Sequence, residues 1–143
     1  MPRAVHPFLS SRRKTFPDDA VRLIARVEDY FSAVDQKDLA GALAFFAEDA
    51  TVTIATFALV YRGRETGLRG MFERLFLRYE AVWHGNFDHV AEPPHRIATR
   101  FQVRNTSATG QQWNKHNCNF FRLRDDGLFQ DVQIFMSGDN ALA

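Results

Sequence analysis

The sequence is short of the residues that would tie it to metals, membranes or an oxidising compartment. A single cysteine, Cys118, excludes an internal disulfide and suits a reducing cytoplasm, where we expect the protein to reside. The paired Cys and His spacing of a structural zinc site is missing. His116 and Cys118, two residues apart, could supply only part of a ligand set. We expect no metal and no cofactor. Nowhere do apolar residues run on for the roughly 18 positions a membrane-spanning helix needs. Charge is nearly balanced, with 18 Lys and Arg against 17 Asp and Glu, so nothing draws the chain toward nucleic acid or an acidic membrane. The basic run "SSRRK" at residues 10–14 has no aromatic platform beside it for stacking bases. "MPRAVHPFLSSRRKTF" lacks the apolar stretch of a secretory signal and suits a flexible arm over residues 1–17. Repeats and low-complexity segments are absent.

What is present is a globular composition. Apolar residues make up 45% of 143 positions and include 14 Phe, enough for one core and one domain. We expect that domain over residues 18–137, with a tail over 138–143. Helical periodicity starts after "FPDD". Ala20, Leu23, Ile24, Val27, Tyr30, Phe31 and Val34 form one stripe, and "DQKD" ends it. Asp38 can cap a second helix that should run to "AED" at 47–49. "ATVTIATFALVYRG" reads as a strand or two broken near Ala58, turned by Gly63. "ETGLRGMFERLFLRYEAVW", at 65–83, reads as a third helix. The period then changes to two, giving four strands with turns at Pro93-Pro94, Thr109-Gly110 and Asp126-Gly127. Helices gathered on one face of a mainly antiparallel sheet define an α+β fold.

The segment "WNKHNCNFF" at 113–121 raises the main question about function. Asparagine is a poor strand former, yet Asn117 and Asn119 fall within a strand. A buried carboxamide without partners costs on the order of 1–3 kcal/mol. The two-residue period puts Asn117, Asn119 and Phe121 on one face, and His116, Cys118 and Phe120 on the other. Either the amides line a wet or ligand-filled cavity, or they pair with backbone or water at a bulge. Tyr30 is either a core aromatic or a phenol facing that cavity. His84 could serve as general acid or base, or it is an exposed strand-edge residue after Trp83. Asp35 is a helix-end carboxylate, or it orients His84. Cys118 reads as a small buried thiol, because no oxyanion-hole signature accompanies it.

Three segments in order, "VEDYFSAVDQKDLAGALAFFAEDATV", "YRGRE" and "FFRLRDDGLFQDVQIFMS", resemble the nuclear transport factor 2-like superfamily. That group includes ketosteroid isomerases, SnoaL-like polyketide cyclases and scytalone dehydratases. The resemblance covers roughly residues 18–137 and implies a cystatin-like cone. In such a cone three helices close on a strongly curved, mainly antiparallel sheet around a pocket. It also implies a homodimer through the exposed sheet face carrying Arg100, Arg104 and Phe120. Ketosteroid isomerases hold an enolate oxygen with a first-helix tyrosine and a protonated late-strand aspartate. Tyr30 matches the tyrosine, Asn119 stands in the aspartate's place, and the general-base position falls on Ile54, which cannot accept a proton. The dehydratases imply roles for His84, for Asp35 in "VDQKD" and for Asn117 or Asn119, while Val34 replaces one of their tyrosines. The likeness thus implies Tyr30, His84, Asn119 and Asp35 as catalytic candidates. Asn117, Ile54, Phe121, Val132 and Met136 are implied as ligand-lining positions.

The expected function is a small cofactor-independent enzyme of isomerase, cyclase or dehydratase type. It would move a proton on a hydrophobic, oxygenated cyclic molecule, the Phe content pointing to an apolar pocket. The competing expectation is a binding or assembly domain of the same fold, which Ile54 favours. A third is a structural subunit such as the small subunit of a ring-hydroxylating oxygenase.

Overall fold

The computed structural model describes residues 17–143, so residues 1–16 of the expected arm, with its basic run, fall outside the described residues, while Pro17 already begins the first helix. Helix α1, Pro17–Asp35, opens with Asp18 and Asp19 in its first turn, where carboxylates meet the positive end of the helix. Leu23, Val27, Tyr30, Phe31 and Val34 are buried along one side, as the stripe requires. Lys37 then adopts a left-handed φ of 56° and turns the chain. Asp38 caps α2, Leu39–Leu43, by accepting the Gly41 N–H at 2.9 Å.

The second helix stops earlier than expected. Phe46 already begins strand β1, Phe46–Ile54, in which Glu48 and Asp49 face out while Ala50, Val52 and Ile54 face in. Helical spacing is overridden by a partner distant in sequence: the Phe129 N–H donates to the Phe45 carbonyl at 2.8 Å and draws the segment into the sheet. A short 3-10 turn, Ala55–Phe57, and a left-handed Ala58 break the strand near Ala58, as read. Strand β2, Leu59–Arg62, returns antiparallel.

The third helix is shorter than the 65–83 expected. A π-turn over Gly63–Leu68 precedes α3, Arg69–Arg78. Gly67 is needed there because a Cβ would lie 2.5 Å from the Arg62 carbonyl oxygen. At the other end the Lys37 ammonium donates to the carbonyls of Phe76, at 2.9 Å, and Tyr79, at 2.5 Å. That cation satisfies the orphan acceptors of the last turn. Tyr79 becomes extended, and Ala81–Trp83 join strand β3, Ala81–Glu92.

Strands β4, Arg96–Thr106, β5, Gln112–Leu123, and β6, Phe129–Met136, complete a six-stranded sheet of order β2-β1-β6-β5-β4-β3. Only β1 and β6 run parallel. The sheet is curved and does not close. A bulge between Gly85 and Asp88, with Asn86 at φ 54°, bends β3. The Trp83 ring lies over Gly85, where a Cβ would sit 2.2 Å from it. Helix α1 packs across β3 and β4, and the two longer helices close the cone. Residues 138–143 turn back onto the domain. Arg78 and the Tyr61 hydroxyl donate to the carbonyls of Asn140 and Leu142, and Ala141 is buried.

Replacing Lys37 by Met is expected to lower stability by about 1–3 kcal/mol, because the α3 carbonyls lose a charged donor. Urea unfolding measures it, and an unchanged midpoint would refute the cap.

Candidate active site

Strand alternation decides which side chains enter the cone. On β4 the inward set is Ile97, Thr99, Phe101, Val103 and Asn105, and on β5 it is Lys115, Asn117, Asn119, Phe121 and Leu123. Between these strands and α1 and α3 lies a cavity of about 50 Å³. Tyr30, His84, Asn117, Asn119 and Met136 all line it. Both asparagines therefore face inward. Asp35 reaches the site only through His84. Ile54, Phe121 and Val132 are buried but stand outside the lining.

His84 and Asp35 form the best-defined polar pair. The carboxylate at the last residue of α1 accepts the His84 backbone N–H at 3.1 Å and the ring Nδ1–H at 2.6 Å. This double grip fixes the tautomer. A carboxylate can only accept, so Nδ1 carries the hydrogen of this contact, and Nε2 has no partner among the described residues. The ring is stacked on Phe31, with centroids 4.7 Å apart, and its side chain is 11% exposed. An imidazole held this way can take up a proton at Nε2 without first turning.

Tyr30 is surrounded by aromatic rings. Phe46 and Phe129 meet it edge-on at 5.5 and 5.3 Å, and Phe31, Phe45, Phe72 and Phe121 lie within 6.3 Å. Much of the chain's Phe content thus goes into filling the closed end of the cone rather than shaping a wide apolar pocket. Burial pushes the Tyr30 phenol well above the ordinary tyrosine range, and the Asp35 charge pushes the same way. The phenol is held neutral, as a donor.

Two further polar residues enter the cavity that sequence reasoning missed, Asn105 and Lys115. The signal was available. Alternation that puts Phe101 and Val103 inward also puts Asn105 inward, and the parity of Asn117 and Asn119 includes Lys115. Asn105 Nδ2, Asn117 Oδ1 and Asn119 Oδ1 are buried with no hydrogen-bond partner. Lys115 is 5% exposed, and its ammonium donates to the backbone carbonyls of Ser137, at 3.0 Å, and Asp139. Burial pulls it below the usual lysine range, with Asp139 opposing and Arg78 reinforcing that shift.

The outer face holds the rest. Cys118, expected to be buried, is half-exposed there beside exposed His116, because β5 directs its even-numbered residues outward. Among the described residues no group of three His, Cys, Asp or Glu could hold a metal ion, and no helix is long and apolar enough to cross a membrane.

An open, curved sheet closed by helices is the cone of the nuclear transport factor 2-like fold. Residues 27–132 match the SnoaL-like domain, and the chain belongs to that family. Similar solved structures include a protein provisionally named a polyketide cyclase from Xanthomonas campestris pv. campestris. It is 21% identical with a TM-score of 0.73, over 82% of this chain and 91% of that one. Another, provisionally named an aromatic ring hydroxylase from Novosphingobium aromaticivorans, is 20% identical with a TM-score of 0.71, over 88% and 94%. The epoxide hydrolase/cyclase-like enzyme SalBIII, described in pyran ring formation in the polyether salinomycin, is 18% identical with a TM-score of 0.69, over 81% and 91%. At these identities the likeness defines the fold. No curated protein matches the chain in sequence.

The raised Tyr30 phenol has a consequence at high pH. Above about pH 10 an unfolded chain releases that proton while the folded one keeps it, so folding stability falls as pH rises. Tyr30→Phe is expected to flatten this alkaline loss, read as denaturation midpoints between neutral pH and pH about 11. An unchanged slope would show that Tyr30 ionises normally.

Proposed function

We propose that the protein is a cofactor-independent enzyme that moves a proton on a small oxygenated molecule, by isomerisation, aldol-type cyclisation or dehydration. The observation that carries this reading is the Asp35–His84 hydrogen bond, 2.6 Å long, whose imidazole shares a cavity with the Tyr30 phenol. His84 Nε2 takes a proton from carbon beside a carbonyl, or returns one. Asp35 is the positioning residue that holds the tautomer and stabilises the imidazolium formed. Tyr30 and Asn119 donate toward the oxygen on which negative charge develops, each worth up to a few kcal/mol in a dry site. The imidazole supplies the base that Ile54 cannot. Membership of the SnoaL-like family supports this class of chemistry, as do relatives named for cyclisation.

The test uses cyclic ketones such as indanone in D₂O, with loss of the α-proton signals followed by NMR. His84→Gln is expected to slow exchange by about 10²–10⁴-fold, and Asp35→Asn by less, without loss of fold. Exchange that survives His84→Gln removes histidine from the role of base.

The size of the cavity favours a second reading, a non-catalytic binding or assembly domain. About 50 Å³ is well below the roughly 300–1,000 Å³ of ordinary ligand pockets. That reading expects no exchange with any ketone.

We place the protein in the reducing cytoplasm, which a lone, unpaired cysteine suits. A homodimer through the outer sheet face completes the proposal. Phe120 and Phe135 sit there edge-to-face at 5.9 Å, each almost half exposed, beside a groove bordered by Val90, Ala98 and Gln133. Phe120→Glu is expected to shift sedimentation from dimer to monomer, and a wild-type chain that sediments as a monomer sinks this assembly.

A further inference from the structure

The cavity is narrow because of the tail as well as the aromatic rings. Ala141 and Leu142 line it, and they are the lining residues that belong to neither helix nor strand. They are tethered by the Leu142 carbonyl on Tyr61, the Asn140 carbonyl on Arg78 and the Asp139 carbonyl on Lys115. The first two tethers are half-buried or exposed, where water can replace the tail. The third is different. Lys115 is almost wholly buried and forms no ion pair among the described residues, and its two acceptors are the Ser137 and Asp139 carbonyls. The Asp139 side chain is exposed and Arg78 lies close enough to oppose the ammonium, so the surrounding charges leave it only partly balanced.

A cyclic ligand needs more room than the cavity offers, and the tail is the segment that can yield without breaking the sheet. If it yields, the Lys115 ammonium loses an acceptor while its side chain stays largely buried, and a buried charge stripped of a partner is costly. A purely apolar ligand leaves that loss uncompensated, and an alcohol replaces the lost carbonyl with only another neutral acceptor. An anionic oxygen more than restores it, since hydrogen bonds between ionised partners are the stronger kind. Asn105 Nδ2, buried and unpartnered in the same lining, is a further hydrogen-bond donor on that side.

We propose that Lys115 is the specificity residue of this cavity, that it selects a ligand bearing a carboxylate or comparable oxyanion, and that the Asp139 carbonyl holds the ligand oxygen's place until the tail is displaced. The proposal rests on the reading of the cavity as a ligand site and adds the charge of the ligand to it. The Ser137 carbonyl, directly after β6, stays as the fixed acceptor that keeps the ammonium aimed. The tail and the ligand are therefore competitors for one amine.

Benzoate and benzyl alcohol, equal in ring and nearly equal in size, separate charge from shape. With the full chain, benzoate is expected to bind about tenfold tighter by calorimetry and to speed hydrogen exchange at residues 139–142. Lys115→Met is expected to equalise the two probes, and Lys115→Arg to keep the preference. A chain ending at Ser137 is expected to bind benzoate more tightly than the full chain does, and it provides the test if Lys115→Met fails to fold. Equal binding of both probes to the wild type overturns the selection of anions while leaving the ligand site standing. A benzoate preference that survives in Lys115→Met places the recognition elsewhere and also overturns it. Binding of neither probe overturns both readings.

Discussion

The carboxylate of Asp35 is the fixed point of this molecule. It ends α1, accepts both the backbone and the ring N–H of His84, and so binds the long helix to the bulged edge strand. Without that tie, the C-terminal end of α1 would rest on β3 mainly through apolar contacts, which set distance but not register. With it, the helix cannot slide along β3, and the face carrying Tyr30, Phe31 and Val34 stays over the inward residues of β4 and β5. A second contact of the same kind, His89 Nε2 to Glu28 at 2.7 Å, repeats the pattern two turns earlier on α1. The geometry that holds the cone together also gives the imidazole one defined tautomer.

The inward stripe of Thr99, Asn105, Lys115, Asn117 and Asn119 is an expensive way to build a core. Leucine or methionine at these positions would pack against Phe72 and Met71 without orphaned amides. Buried polar groups left unpaired weaken a fold, and sites that act on ligands are where proteins tolerate the loss. The aromatic set around Tyr30 offsets it from the other end of the cone. One half of the interior is therefore a close-packed hydrocarbon core, and the other half is a polar recess that the tail covers.

Much of this was legible from the residues, for reasons that can be named. The α1 stripe has a period of 3.6, and Gly110 and Gly127 occupy the positive-φ turns that their dipeptides implied. Where the reading overran, a distant partner had intervened. Phe45 and Phe46 continue the apolar spacing of α2, but β6 claims them for the sheet. Tyr79 to Trp83 continue that of α3, but Lys37 ends the helix and β4 pairs with the remainder. In the candidate site, period and likeness brought Tyr30, His84, Asn117 and Asn119 to attention. Asn105 and Lys115 escaped because the chemistry was sought on the strand with the odd composition and not along the parity of its neighbours. The volume of the cavity was beyond reach, since it depends on how rings from several elements and the tail interlock.

The position of β6 has a consequence for how the chain becomes a folded molecule. The last strand in sequence is the third in the sheet, parallel to β1 on one side and antiparallel to β5 on the other, with Thr51 and Asp131 joined across 80 residues. Before it inserts, the sheet is two separate ribbons, β1 with β2 and β3 through β5, each with an unsatisfied edge. During synthesis both edges stay open until β6 itself has been made. Assembly is therefore a late, single closing event, and any truncation that reaches β6 leaves two unjoined ribbons with exposed edges in place of a smaller domain.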